Sequence, residues 1–257
     1  MRTLTDTWTM AKRSLRHTTR SMDTIITVVL MPIALMLLFL YVFGGALGTQ
    51  TSVAYVDFVT AGVIVMTVIS GIAYAAFRLA MDMQKGIISR FRTMPVSPSS
   101  VLSGQAMSST VSNLLSCVLV IVVAFIVGFR PTTDARAWLL FAGLLTLFIL
   151  ASTWMAIFFG MVARTAEGAG AFSYILFLLI FISPSFVPTD SMTPWLQSFA
   201  ENQPLTPIVD TIRSLLIEGT PGPDFWVALA WSTGILVVFY TLSLVVYRRS
   251  QPVPAAA

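Results

Sequence analysis

The sequence predicts an all-α membrane protein with six transmembrane helices, an N-terminal interfacial amphipathic helix, a cytoplasmic helix after the second span and short outer re-entrant helices before the sixth. Three observations carry this expectation: an apolar composition, six long uncharged runs, and basic residues gathered at alternate connections. Of the 257 residues 56% are hydrophobic and 10% charged, with a mean hydropathy of +0.86. In a soluble domain about a quarter are charged. A hydrocarbon core about 30 Å thick takes roughly 20 apolar residues per helix. Runs near that length cover 25–43, 58–77, 105–129, 137–162, 169–188 and 225–247.

An even number of spans places both termini on one side, and Lys/Arg placement says which. Arg2, Lys12, Arg13, Arg16 and Arg20 precede the first run; Arg78, Lys85, Arg90 and Arg92 follow the second; Arg164 follows the fourth; Arg248 and Arg249 end the sixth. The other face has Arg130, Arg136 and Arg213 against Asp190, Glu201, Asp210, Glu218 and Asp224. The expected orientation is therefore N-in and C-in, and the net charge of +4 reflects topology, with no nucleic-acid partner indicated. All 257 residues are expected to form one membrane domain, since the connections are too short to build a core of their own.

Within residues 1–23, Leu4, Trp8, Ala11 and Leu15 recur at helical spacing among Lys12, Arg13, Arg16 and Arg20, which predicts an amphipathic helix on the cytoplasmic leaflet. It serves either as a topology anchor or as a partner contact. The first apolar run begins only near residue 25 and is long enough to span, unlike the core of a cleaved leader.

Between the second and third runs, segment 78–98 places Leu79, Met83, Ile87 and Phe91 four residues apart, with Asp82, Lys85, Ser89 and Arg92 mostly elsewhere. A cytoplasmic helix ended by Pro95 and Pro98 follows from that pattern. Periodicity alone fits equally a linker resting on lipid and a docking surface for a cytosolic protein.

The outer stretch 189–224 holds two more helical faces, Met192, Trp195, Leu196 and Phe199, then Ile208, Ile212, Leu215 and Leu216 after Pro204 and Pro207. Pro184 and Pro188, around Phe186 and Val187, discourage a continuous helix out of the fifth span. The two helices either lie flat on the outer leaflet or fold back among the spans. The acidic Asp190, Glu201 and Asp210 favour folding back, because flat helices more often carry basic residues on the polar face.

Chemistry narrows the function by what the chain lacks. It has no phosphate-binding G-x-x-x-x-G-K-[ST] or G-x-G-x-x-G motif, no H-E-x-x-H and no His/Cys cluster, so no catalytic residue, metal or bound cofactor is expected. Its one cysteine, Cys117, lies in an apolar run, and His17 is the one histidine. The spans contain hydroxyls but no acid, and Asp57 stands at a boundary, where an interfacial carboxylate is cheap. Proton-coupled transport is thus disfavoured, and energy is better supplied by a separate protein.

Three motifs resemble one family. The run Gln84-Lys85-Gly86-Ile87-Ile88-Ser89-Arg90-Phe91-Arg92-Thr93-Met94-Pro95-Val96-Ser97, with Val101-Leu102-Ser103-Gly104, resembles the "KGIIxRFRxxPxxxxxVLxG" signature of type-2 ABC exporter permeases of the daunorubicin-resistance family. Phe186-Val187-Pro188-Thr189, Met192, Trp195-Leu196, Phe199 and Asn202-Gln203-Pro204-Leu205-Thr206-Pro207 resemble that family's outer segment, and Ala163-Arg164-Thr165-Ala166-Glu167 fits between spans four and five.

The resemblance implies two permease subunits, alike or different, paired with two cytosolic ATP-binding subunits that use ATP and Mg, exporting a hydrophobic or amphiphilic solute such as a drug, lipid or peptide across a bacterial cell membrane. It implies that Lys85, Gly86, Ile87, Arg90, Phe91, Arg92, Pro95 and Val96 contact the ATPase as a coupling helix. It likewise implies an outer gate of Phe186, Val187, Pro188, Trp195, Phe199, Pro204 and Pro207. Two positions depart from the family: Gln84 stands where many broader type-2 permeases are acidic, and Asn202 where an acid or histidine is common. The alternative is a membrane scaffold or immunity subunit that pairs with an ATPase and transports nothing.

Overall fold

One long helix organises the rest. In the computed structural model, which describes residues 26–47, 54–85, 98–131, 133–189 and 192–249, α2 (Tyr55–Gln84) is the centre of the bundle. From Tyr55 to Ser70 every side chain except that of half-buried Asp57 is buried. Around it pack α1 (residues 26–47), α3 (Pro98–Val127), α4 (Ala135–Val162), the short α5 (Ala166–Gly170) and α6 (Phe172–Ile182). Beyond these come α7 (Pro194–Asn202), α8 (Leu205–Ile217) and α9 (Phe225–Arg249), the last lying on the outside against α4. Among the described residues all regular structure is helical, and the chain is an all-α membrane protein.

Four helical stretches are long and apolar enough to cross a membrane: Tyr55–Gln84, Leu102–Val127, Ala135–Val162 and Phe225–Tyr247. The first and fifth expected spans coincide with the shorter apolar helices Val28–Phe43 and Ala166–Ile182. The fifth ends early because Ser183, at φ −73° and ψ 166°, precedes Pro184, and a residue before proline is pushed to extended geometry. α1 is α-helical over Met31–Leu38 but π-helical over Ile26–Leu30 and Phe39–Phe43, a departure that apolar periodicity gave no sign of.

Boundaries moved in an instructive way. Residues 78–84, expected to open a separate cytoplasmic helix, continue α2 without a break. Pro98, expected to stop a helix, begins α3 instead, where its missing N–H leaves no helical bond unmade. Asp57 lies in the first turn of α2, where the helix dipole favours a carboxylate, and its Oδ1 accepts from the Arg130 backbone N–H at 3.3 Å. Asp134 caps α4, accepting from the Ala137 N–H at 2.9 Å.

Hydroxyls within α2 turn back on their own helix: Thr60 donates to the Val56 carbonyl at 2.6 Å and Thr67 to that of Val63 at 2.7 Å. Asn113 of α3 does something else. Its Nδ2 donates to the Val68 carbonyl of α2 at 3.2 Å, and it fits because Gly71 has no side chain: a Cβ there would lie 2.6 Å from the Asn113 amide. Polar bonds between membrane helices contribute about 0.6–2 kcal/mol. Asn113→Ala is therefore expected to lower the melting midpoint of the detergent-purified protein modestly, and an unchanged midpoint would show that the bond contributes nothing. Further along α3, Cys117 is fully buried.

Alternation along the chain gives the bundle two ends. One gathers the start of α2, the α3–α4 connection and residues 183–224; the other gathers Lys85, the start of α3, residues 163–165 and the end of α9.

Candidate functional site

At the second of these ends, two of the three sequence motifs meet. The Gln84 Nε2 donates to the Arg164 carbonyl at 3.3 Å, tying the end of α2 to the α4–α5 connection. Lys85, exposed, forms the C-terminal cap of α2. Gly160 brings α4 close to α2, since a Cβ there would stand 3.0 Å from the Ala76 carbonyl oxygen. Thr165 starts α5 by accepting from the Gly168 N–H at 3.0 Å. The other expected coupling residues, Gly86, Ile87, Arg90, Phe91, Arg92, Pro95 and Val96, lie outside the described residues, as does the N-terminal helix expected over 1–23.

The opposite end is built around the turn Ser183-Pro184-Ser185-Phe186, buried throughout. Non-helical backbone deep in a protein must find partners for its polar groups, and here they come from side chains. Tyr55 Oη donates to the Phe186 carbonyl at 3.1 Å, and Arg213 Nη2 donates to the Pro184 carbonyl. Ser183 Oγ donates to the Ile180 carbonyl at 2.7 Å and lies 2.6 Å from Ser185 Oγ. The Phe186 ring stacks on Phe39 of α1, centroids 4.5 Å apart at 15°, and on Phe181 at 5.2 Å and 27°. Gly62 of α2 faces this turn at close range, where a Cβ would meet Ser185 Cβ at 2.6 Å.

The expected gate residues divide. Phe186 is 2% exposed, Val187, Pro188 and Pro204 are half-buried, and Pro207 is buried in the first turn of α8. Trp195 and Phe199, by contrast, are 74% and 48% exposed on α7 and are not brought together with Phe186. α7 is held at its C-terminal end: Gln203 Nε2 donates to the Leu179 carbonyl at 2.8 Å, and Thr206 Oγ1 to that of Ala200 at 2.5 Å.

α8 is covered on its polar side as well as its apolar side, packing against α2, α4 and α9. On that polar side sits Arg213, which topology counting treats as a surface charge. It is instead largely enclosed: Nη1 reaches Asp210 Oδ1 at 2.6 Å, Nε donates to the Phe58 carbonyl at 3.4 Å, and the guanidinium lies 4.0 Å from the centroid of the Phe58 ring. Among the described residues this is the one ion pair recorded. Sequence reading missed Arg213, Tyr55 and Gly62. The signal available was an Asp and an Arg three apart on a helix with a full apolar stripe, which also fits an exposed pair.

Residues 5–217 match the family model described as ABC-2 type transporter. The chain is similar to the daunorubicin resistance ABC transporter permease of Streptomyces coeruleorubidus, with 29% identity over 231 residues, 88% of this chain and 80% of the relative. It is also similar to a protein of Mycobacterium tuberculosis described as a "probable doxorubicin resistance ABC transporter permease", with 22% identity over 242 residues, 93% of this chain and 87% of the relative. With its family model spanning most of its length and its apolar helices of membrane-crossing length, the chain belongs to the ABC-2 type transporter family, as a membrane permease subunit of an ABC exporter.

Proposed function

We propose that this chain forms half of the pathway of an ATP-driven exporter for a hydrophobic or amphiphilic solute, in the chemical range suggested by the drugs named for its relatives. A separate cytosolic ABC ATPase supplies the energy, binding and hydrolysing ATP with Mg, while this chain binds no nucleotide. A second permease subunit completes the pathway. The protein lies in a bacterial cell membrane with both termini inside, as the basic residues favour.

Six crossings follow if α1 and α5–α6 count with the four long helices. Ala166–Ile182 alone rises only about 25 Å, short of the hydrocarbon core. The buried turn Ser183–Phe186 and the enclosed α8 extend that crossing, since irregular backbone at membrane depth is tolerated where protein covers it. This supports the re-entrant placement of the outer helices.

The observation that carries the reading is the continuity of α2. It starts beside the outer turn, where Tyr55 holds Phe186, and ends at Lys85, on the threshold of the segment whose Gly86, Ile87, Arg90, Phe91, Arg92, Pro95 and Val96 are assigned to the ATPase contact. Force applied at 78–98 therefore acts on the most enclosed of the four long helices.

Phe91 serves as the apolar anchor of that contact, with Arg90 and Arg92 at its rim. Losing an interface anchor costs about 2 kcal/mol or more, so Phe91→Asp is expected to weaken co-purification with the ATPase at least about thirtyfold and to end export. Wild-type association and transport in the variant would remove the docking assignment. An ATPase that binds the wild-type chain but is stimulated by no solute in a broad lipophilic panel would instead favour a scaffold or immunity role.

A further inference from the structure

Arg213 is more than an ion-pair partner. Its guanidinium reaches three separate parts of the chain: the Phe58 carbonyl in the first turn of α2, the Pro184 carbonyl in the buried turn after α6, and Asp210 on its own helix α8. Its central carbon also lies over the Phe58 ring, 4.0 Å from the centroid, which adds a fourth contact to the same group. Apolar contacts between helices are non-directional and let surfaces slide. A guanidinium holding carbonyls on two other elements cannot slide without breaking bonds made in a largely covered place, where leaving a partner unpaired is costly.

Stability alone does not call for a charge here. An enclosed ion pair is often no more stable than well-packed apolar residues of similar volume. What the arginine adds is a fixed geometry among three elements. Of these, α2 leads to the ATPase side, the turn carries Phe186, and α8 joins through Gln203 and Pro204 to α7 with its exposed Trp195.

We propose that Arg213 is a positioning residue for the outward step of transport: it clamps α2, the Ser183–Phe186 turn and α8 into one moving body, so that displacement at the inner end of α2 is delivered to the outer helices. The proposal rests on the exporter reading above. Without the clamp, the ATPase still docks and hydrolyses ATP, but the outer end follows α2 loosely.

The test uses the full chain with its partner ATPase in liposomes, comparing wild type, Arg213→Met and Arg213→Lys. Two quantities are read: daunorubicin, the drug named for a relative, exported per ATP hydrolysed, and the ATP-dependent change in labelling of a Trp195→Cys thiol by a membrane-impermeant maleimide. The labelling readout needs no knowledge of the solute.

Arg213→Met is expected to keep ATP hydrolysis near wild type while export per ATP falls about tenfold, the scale of a typical coupling between sites. The ATP-dependent labelling change should vanish with it. Arg213→Lys, which keeps the charge but not the flat three-way geometry, should recover only part of either signal. An Arg213→Met protein whose export per ATP and labelling change match wild type overturns the clamp. So does an Arg213→Lys protein in which hydrolysis, export and folded yield fall in proportion, the pattern of a merely structural residue. If the wild type itself shows neither export nor any ATP-dependent labelling change, the exporter reading fails, and the clamp fails with it.

Discussion

Gly62→Ala is expected to destabilise the protein by about 2–3 kcal/mol, at the upper end of the cost of overpacking, and Gly62→Leu to leave little folded protein. A Cβ at this position would stand 2.6 Å from Ser185 Cβ and 2.9 Å from the Ser185 carbonyl oxygen. The neighbour cannot retreat, because the turn is held on either side, the Pro184 carbonyl by Arg213 and the Phe186 carbonyl by Tyr55. Gly143→Ala is the matched control: it also lies in a long helix, but a Cβ there has nothing within 4 Å. Relief of glycine's helix penalty should make that change neutral or stabilising by up to about 1 kcal/mol. Melting midpoints in detergent check the pair, and equal shifts would mean that the packing of α2 against the turn is not tight.

Phe186→Ala should be the most damaging truncation around the Ser183–Phe186 turn. The ring is 2% exposed and stacked between Phe39 and Phe181, so its removal opens a cavity among three elements and forfeits both stacks. Truncating a buried phenylalanine costs about 3–5 kcal/mol. Trp195→Ala removes a larger side chain, yet Trp195 is 74% exposed, and its loss should stay within about 0.5 kcal/mol. The contrast separates two residues that share one sequence motif. If both variants melted alike, the division of residues 183–202 into a buried aromatic stack and an exposed helix would be wrong.

Elements whose pattern is local were legible in the sequence. Trp195, Leu196 and Phe199 of the first expected face lie in α7, which begins only at Pro194 and leaves Met192 ahead of it; Ile208, Ile212, Leu215 and Leu216 became α8, and the prolines at 184 and 188 marked the end of the fifth apolar run. Hydropathy closed the central helix too early. Charged Arg78 and Asp82 look like the close of a span, but a helix continues as long as its backbone bonds can form, and α2 runs on to Gln84.

What stayed hidden depends on residues far apart in the chain. Gly62 is needed because of Ser185, Gly71 because of Asn113, and Arg213 is enclosed because α2, the turn and α8 converge on it. A charge on a short amphipathic helix has the same local signature whether the polar side meets water or protein. For the candidate site, the motif around Phe186 pointed to the right turn, while the residues that hold that turn in place came from helices α2 and α8.

Cys117 has a practical consequence for the chemistry of this molecule. As the one thiol in the chain, sunk at 0% exposure within α3, it is shielded from aqueous alkylating reagents and from pairing with a thiol on another copy. The protein thus comes with a silent sulfur background. A cysteine placed on an exposed helix such as α7 would be the sole thiol a water-borne probe can reach, and its modification could be read without first altering the native sequence elsewhere.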